Sequence, residues 1–254
     1  MQCTLKALPV FYPNQSFTAP TAYGYAVNIA QNMHFVHLEA LTLVNPYKAV
    51  YCTGNGVTMH GIYGFPLYRG IELGRIADVA RIQDTHWIPT VHYSIGATLR
   101  AWVQANGYAY TVDGAEQFDF TDCFAWGYRT GLRFEDIDGD AFYGSYGSWK
   151  GGGFDQTQDC IYITGGLGMR ADGLTIEAVT LVPTAGAGAG HAVLFSDTHA
   201  PTGDLSDRPA VYMHGCRVHG VHDRSFWLQA GSYGILDVHG GNLADSSNDY
   251  ARND

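Results

Sequence analysis

Leu38-Glu39-Ala40-Leu41-Thr42-Leu43-Val44-Asn45-Pro46 follows the pattern of Leu5-Lys6-Ala7-Leu8-Pro9-Val10-Phe11-Tyr12-Pro13 position for position, and the same template recurs down the chain. The template reads apolar, any, any, apolar, any, apolar. It begins at Leu5, Leu38, Met59, Ile82, Phe120, Trp149, Ile176, Met213 and Val238. A second apolar pair stands twelve residues after the start in Val50/Cys52, Ile71/Leu73, Leu132/Phe134 and Ile161/Ile163, and farther away in Val193/Phe195 and Phe226/Leu228. Alternation at period two marks strands with one inward face. A unit that returns every 21 to 38 residues or so can bury that face only by stacking on its own copies. The expected fold is all-β: a single-stranded, right-handed parallel β-helix of about nine rungs, with residues 1–254 as one domain. Parallel strands about 4.8 Å apart would make a rod about 40 Å long.

Composition narrows the function. A net charge of −10 argues against nucleic acid, whose phosphates need a Lys/Arg surface. No run of about 18 apolar residues marks a membrane span, and no charged-then-apolar leader marks a signal peptide. The repeat starts at Cys3 with no capping helix before it, so the chain is expected to be a piece of a longer protein, or to have its ends covered by a neighbouring chain in a homo-oligomer. Of five cysteines, Cys3, Cys52, Cys123 and Cys216 fall in inward columns and Cys160 lies beside inward Ile161. They are expected to be buried free thiols. The 17 tyrosines suit stacking on sugar rings as well as decorating strands.

Register says which polar side chains become neighbours. The third template position reads Ala7, Ala40, Gly61, Asp84, Asp122, Gly151, Ala178, Gly215, Gly240. Glycines, alanines and aspartates are what a bend with an unusual backbone angle selects. Asp84 and Asp122 are also consecutive, about 5 Å apart by strand spacing, and two carboxylates at that distance make an acid/nucleophile couple or a cation site. Arg81 and Asp119 stack just before the template, and His86 shares the Asp84 strand. Asp84, Asp122 and Asp119 are therefore candidate catalytic groups. Arg81 and His86 are candidate substrate contacts, and Trp126, Tyr128 and Trp149 are candidate sugar platforms.

Between Ile82 and Phe120 lies an insertion, roughly 93–115, in which Leu99, Trp102 and Val103 have helical spacing and Asn106-Gly107 is a stop signal; it predicts a short helix walling one side of a groove. Loops 13–24, 138–148 and 196–208 supply other walls. Asp136, Asp138 and Asp140 alternate around Gly139, a partial match to a calcium loop that lacks the downstream bidentate glutamate. Calcium at this loop and a plain solvated acidic turn both fit the pattern, and no cofactor is required.

The rung spacing, the Asn45-Pro46 turn, the opening Val10-Phe11-Tyr12-Pro13-Asn14-Gln15 and the stretch Phe124-Ala125-Trp126-Gly127-Tyr128 followed by Gly131-Leu132 together resemble the pectate-lyase-like β-helix superfamily. More narrowly they resemble bacterial proteins related to glycoside hydrolase family 28. That resemblance implies a secreted or cell-surface protein acting on an extracellular polysaccharide, by hydrolysis or by calcium-dependent lyase chemistry. The chain lacks the polygalacturonase Asn-Thr-Asp, Asp-Asp, Gly-His-Gly and Arg-Ile-Lys motifs, and Arg208-Pro209 lacks the further arginine of the lyases. The leading expectation is a glycoside hydrolase-like enzyme, with a non-catalytic glycan-binding or tailspike-like solenoid as its rival.

Overall fold

The computed structural model describes residues 3–16, 18–89, 96–135, 145–165, 173–184, 190–196, 208–220, 224–243 and 249–253. It is nearly all strand, arranged as one 15-stranded and one 9-stranded sheet, here sheets A and B, in which the strands pair parallel. Both sheets are curled, an arrangement consistent with a parallel β-solenoid.

In sheet A the template position runs in an unbroken ladder: Leu5 opposite Leu38, then Met59, Ile82, Phe120, Trp149, Ile176, Met213 and Val238. This is the register expected from the repeat, including the pairing of Ile82 with Phe120 across the long insertion. From Leu38 to Met213 these side chains are essentially inaccessible to solvent.

The third template position is a bend of the backbone. Ala7, Ala40, Asp84, Asp122 and Ala178 have φ between 51° and 53°, and Gly61, Gly151, Gly215 and Gly240 have φ between 61° and 68°. Every member of the column is left-handed, so the column's composition follows from backbone geometry, as its Gly, Ala and Asp content suggested.

Sheet B carries the second apolar pair: Val27, Val50, Ile71, Tyr110, Leu132, Ile161, Val193 and Phe226 are successive partners. Pairing skips the residue before each of them, namely Ala26, Ala49, Gly70, Ala109, Gly131, Cys160, Ala192 and Ser225. These skipped residues also point inward, and from Ala49 to Ala192 they are buried. They are small because the chain is tight there: a Cβ on Gly70 would stand 2.0 Å from the Ala109 carbonyl oxygen.

The predicted helix is Ala97–Asn106, with Leu99 and Val103 buried and Trp102 packed against the core edge. Gly107 follows because a Cβ there would come within 2.9 Å of Val103 and 3.0 Å of the Leu67 carbonyl oxygen. The insertion is not helical to its end, however. Tyr108–Asp113 is a strand of sheet B, and Tyr110 fills the inward position.

The core turns aromatic midway along the coil. Trp149 stacks on Phe120 at 4.7 Å and meets Tyr110 edge-on at 5.0 Å, with Phe154 at 4.8 Å. Each such buried ring contributes about 2 kcal/mol of transfer free energy. Cys52, Cys123, Cys160 and Cys216 are buried free thiols as expected. Cys3 is exposed, because its strand has a neighbour on one side only among the described residues.

Candidate functional site

The bend places Asp84 and Asp122 one strand apart, framed by Gln83 opposite Thr121 and His86 opposite Phe124. Their carboxylates lean in opposite directions along the coil. Asp84 Oδ2 accepts the Tyr63 hydroxyl at 2.5 Å from the strand before it, and Oδ1 lies 3.5 Å from His86 Nε2. Asp122 reaches the other way: a Cβ on Gly151, in the strand after it, would fall 2.3 Å from Asp122 Oδ1. The Tyr63 phenol is raised above its usual range, first because its hydrogen bond to Asp84 favours the protonated form and then by partial burial.

Asp119 lies opposite Arg81, as predicted, and opposite Ser148, whose hydroxyl donates to Asp119 Oδ1 at 2.8 Å. Tyr63, His86 and Phe124 form an outward ladder with ring separations of 5.6 and 6.1 Å. Trp126 is half-exposed and has the Arg100 guanidinium of the helix 5.4 Å from its ring.

The other two expected sugar platforms are core residues. Tyr128 is fully buried and its hydroxyl donates to the Pro66 carbonyl at 2.7 Å, closing a corner of the coil. Trp149 is 1% exposed, as its place at a template start requires. Neither presents a ring face to a ligand. Asp136, Asp138 and Asp140 lie outside the described residues. No group of three or more metal-ligating side chains occurs among the described residues.

Among the described residues a denser ionic group lies elsewhere, on the outer face of sheet B. Because two consecutive residues of each strand point inward, its outward positions come three apart: Tyr25, Lys48/Tyr51, Arg69/Glu72, Tyr108/Thr111, Thr130/Arg133 and Asp159/Tyr162. Arg69 Nη1 donates to Glu135 Oε1 at 2.8 Å and to Thr111 Oγ1 at 3.0 Å, and its Nε lies 3.8 Å from Glu72. Arg133 Nε lies 2.8 Å from the other Glu135 oxygen. The Tyr25 hydroxyl donates to Glu72 at 2.6 Å, and burial together with that bond pushes the phenol far up. Burial alone would lower the Arg69 guanidinium, but Glu135 and Glu72 outweigh it and carry it above its ordinary value.

Aromatic rings surround these charges. Arg69 and Arg133 each lie over the Tyr108 ring, at 4.6 and 4.7 Å. Lys48 lies 4.9 Å from the Tyr25 centroid. Tyr25 stacks with Tyr51 at 5.2 Å and Tyr47 with Tyr68 at 5.1 Å, while Trp102 of the helix stands 6.2 Å from Tyr47 and 6.3 Å from Tyr68. These rings are half-buried, so part of each meets solvent. The strip crosses six adjacent strands, about 24 Å of coil at the parallel-strand spacing.

Farther along the same column, His191 Nδ1 lies 2.7 Å from Asp159 Oδ1, with both side chains almost wholly buried and the Trp227 ring 4.9 Å away.

Sequence reasoning missed the sheet B strip. Its signal was present in Lys48-Ala-Val-Tyr51, Arg69-Gly-Ile-Glu72, Tyr108-Ala-Tyr-Thr111 and Thr130-Gly-Leu-Arg133, a small residue and an apolar one between two outward side chains. Strict period-two counting puts the first and last of these four on opposite faces, and the extra inward residue returns them to one.

No protein-family model matches this chain, and neither a curated protein nor a solved structure matches it.

Proposed function

We propose that this chain is a right-handed parallel β-helix of nine rungs that binds an extracellular polysaccharide along the outer face of sheet B. The handedness follows from the general preference of parallel crossovers, and the polysaccharide from the resemblance to pectate-lyase-like proteins. One observation carries the binding reading: a continuous strip of half-exposed tyrosines, with Trp102 beside it, runs along the coil and is braced by half-buried arginines. Tyrosine and tryptophan offer an apolar ring face with a polar edge at low entropy cost, which is what a sugar ring with apolar faces and hydroxyl edges needs.

Affinity electrophoresis through gels containing dissolved polysaccharides tests it. The wild-type chain should be retarded by at least one polymer, and the Tyr47→Ala/Tyr68→Ala double variant should migrate freely. Equal retardation of both would remove sheet B from the reading.

Cleavage is the second reading, favoured by the convergence of Tyr63 and His86 on half-exposed Asp84. In it Asp84 is the acid, and Asp122 must turn away from Gly151 to become its partner. Release of reducing ends that disappears in Asp84→Asn supports it; release unchanged by that substitution rules Asp84 out.

A further inference from the structure

We infer, resting on the sheet B reading above, that the polysaccharide this face accepts is an uncharged one, and that polyuronates are rejected. The two guanidiniums that could recognise a uronate carboxylate in a forked geometry are already committed. Arg69 directs Nη1 to Glu135 and Thr111 and turns its plane over Tyr108 and Tyr68. Arg133 has Nε against Glu135 and its plane over Tyr108. Glu135 is 5% exposed and Glu72 8%, so both are pre-organised partners with which an incoming carboxylate must compete.

Their charges also repel the competitor through a poorly screened, partly buried region. Among the described residues of the strip, Lys48, Arg69 and Arg133 stand against Glu72, Glu135 and Asp159, so the formal charges of these side chains cancel. The Lys48 ammonium lies over the Tyr25 and Tyr68 rings, at 4.9 and 5.9 Å. A polyuronate brings one negative charge per sugar to a strip with no net cationic surplus, on a chain whose overall charge is −10. A neutral chain meets none of that opposition. It can use the ring faces and the Tyr hydroxyls, with no carboxylate to desolvate.

The test is a binding isotherm for the whole chain against neutral polymers (a β-glucan, a xylan, a mannan, a galactan) and against polygalacturonate and alginate, each at low and at moderate salt. The expected result is binding to at least one neutral polymer about tenfold tighter than to either polyuronate, with little salt dependence. Tighter polyuronate binding that weakens with salt and is lost in Tyr47→Ala/Tyr68→Ala would overturn this inference while leaving the sheet B site standing. Binding to no polymer, or light scattering showing that copies bury this face against each other, would sink the site and this inference together. Glu135→Gln supplies a second reading of the same idea: if it folds, one guanidinium is released and polyuronate binding rises about tenfold, whereas no change would mean the Arg–Glu brace is not what excludes uronates.

Discussion

The bend of sheet A and the outer face of sheet B come from the same repeat, yet they hold their charges in opposite ways. At the bend the backbone chooses the residue: a left-handed φ is needed at the third template position of every strand, and Asp84 and Asp122 occupy it beside alanines and glycines. Their carboxylates are free to lean apart, one to Tyr63 and one over Gly151. On sheet B the side chains choose each other, and Arg69, Arg133, Glu72 and Glu135 sit mostly buried in one connected group. Two aspartates adjacent in a column therefore argue less for joint chemistry than do charges that share hydrogen bonds.

The largest difference between the two faces should appear in Glu135→Ala. Removal of this 7% exposed side chain strands Arg69 and Arg133, themselves 14% and 21% exposed, and should cost about 3 kcal/mol in urea-induced unfolding. Asp119→Ala, on the half-exposed bend face, should cost well under half of that. Equal losses at the two positions would mean that the ionic group on sheet B is no more integral than the bend.

Gly70→Ala comes next. Its φ is ordinary, so the penalty is a collision of the new methyl with the Ala109 carbonyl oxygen, 2.0 Å away, and with Trp87 Nε1 at 3.0 Å, and a loss of about 2 kcal/mol is expected. Gly215→Ala at the bend has open space around the new methyl and meets only the left-handed φ of 61°, so it should lose about 1 kcal/mol. Matching unfolding midpoints would contradict the separate causes assigned to the two glycines.

How much of this could be read from the chain follows from the same contrast. The sheet A register was legible from Leu5 to Val238 because one inward side chain every second residue leaves a period that insertions between strands do not erase. The bend was legible as a bend because glycine, alanine and aspartate differ in charge and polarity, and a small side chain at a left-handed backbone position is what they have in common. Trp149 could have been excluded as a sugar platform from its own template position, which is inward. Tyr128 could not, since its burial depends on the Pro66 carbonyl it reaches from another turn of the coil. The strand holding Tyr110 was hidden because the helix moves the apolar pair from twelve residues after the template start to 28, Ile82 to Tyr110. The ionic group of sheet B was hidden because the skipped small residue changes the outward spacing from two to three.

Within the bend itself a smaller comparison separates its two aspartates. Asp122→Gly removes a left-handed non-glycine residue with no described side-chain hydrogen bond to lose, and should stabilise the chain by about 1 kcal/mol. Asp84→Gly gains the same backbone relief but forfeits the Tyr63 hydrogen bond, worth about 1 kcal/mol, so it should be close to neutral. Thermal melts of the two variants side by side would decide this. If Asp84→Gly were the more stable, the contact with Tyr63 would contribute nothing.

The smallest effect is the most local, and it is a titration. Tyr63 is raised above 10 first by its hydrogen bond to Asp84. A phenol whose folded value exceeds its unfolded one adds stability that is fully present below pH 10 and is lost as pH rises through the raised value. With ring-labelled tyrosine, carbon NMR should show Tyr63 ionising later than an exposed tyrosine, and Asp84→Asn should return it toward 10 without moving Tyr25, whose elevation comes from burial and Glu72. A Tyr63 that stayed high in Asp84→Asn would owe its shift to burial instead. That would detach Tyr63 from Asp84 and leave His86 as the described neighbour of this carboxylate, while the sheet B strip kept its full set of contacts.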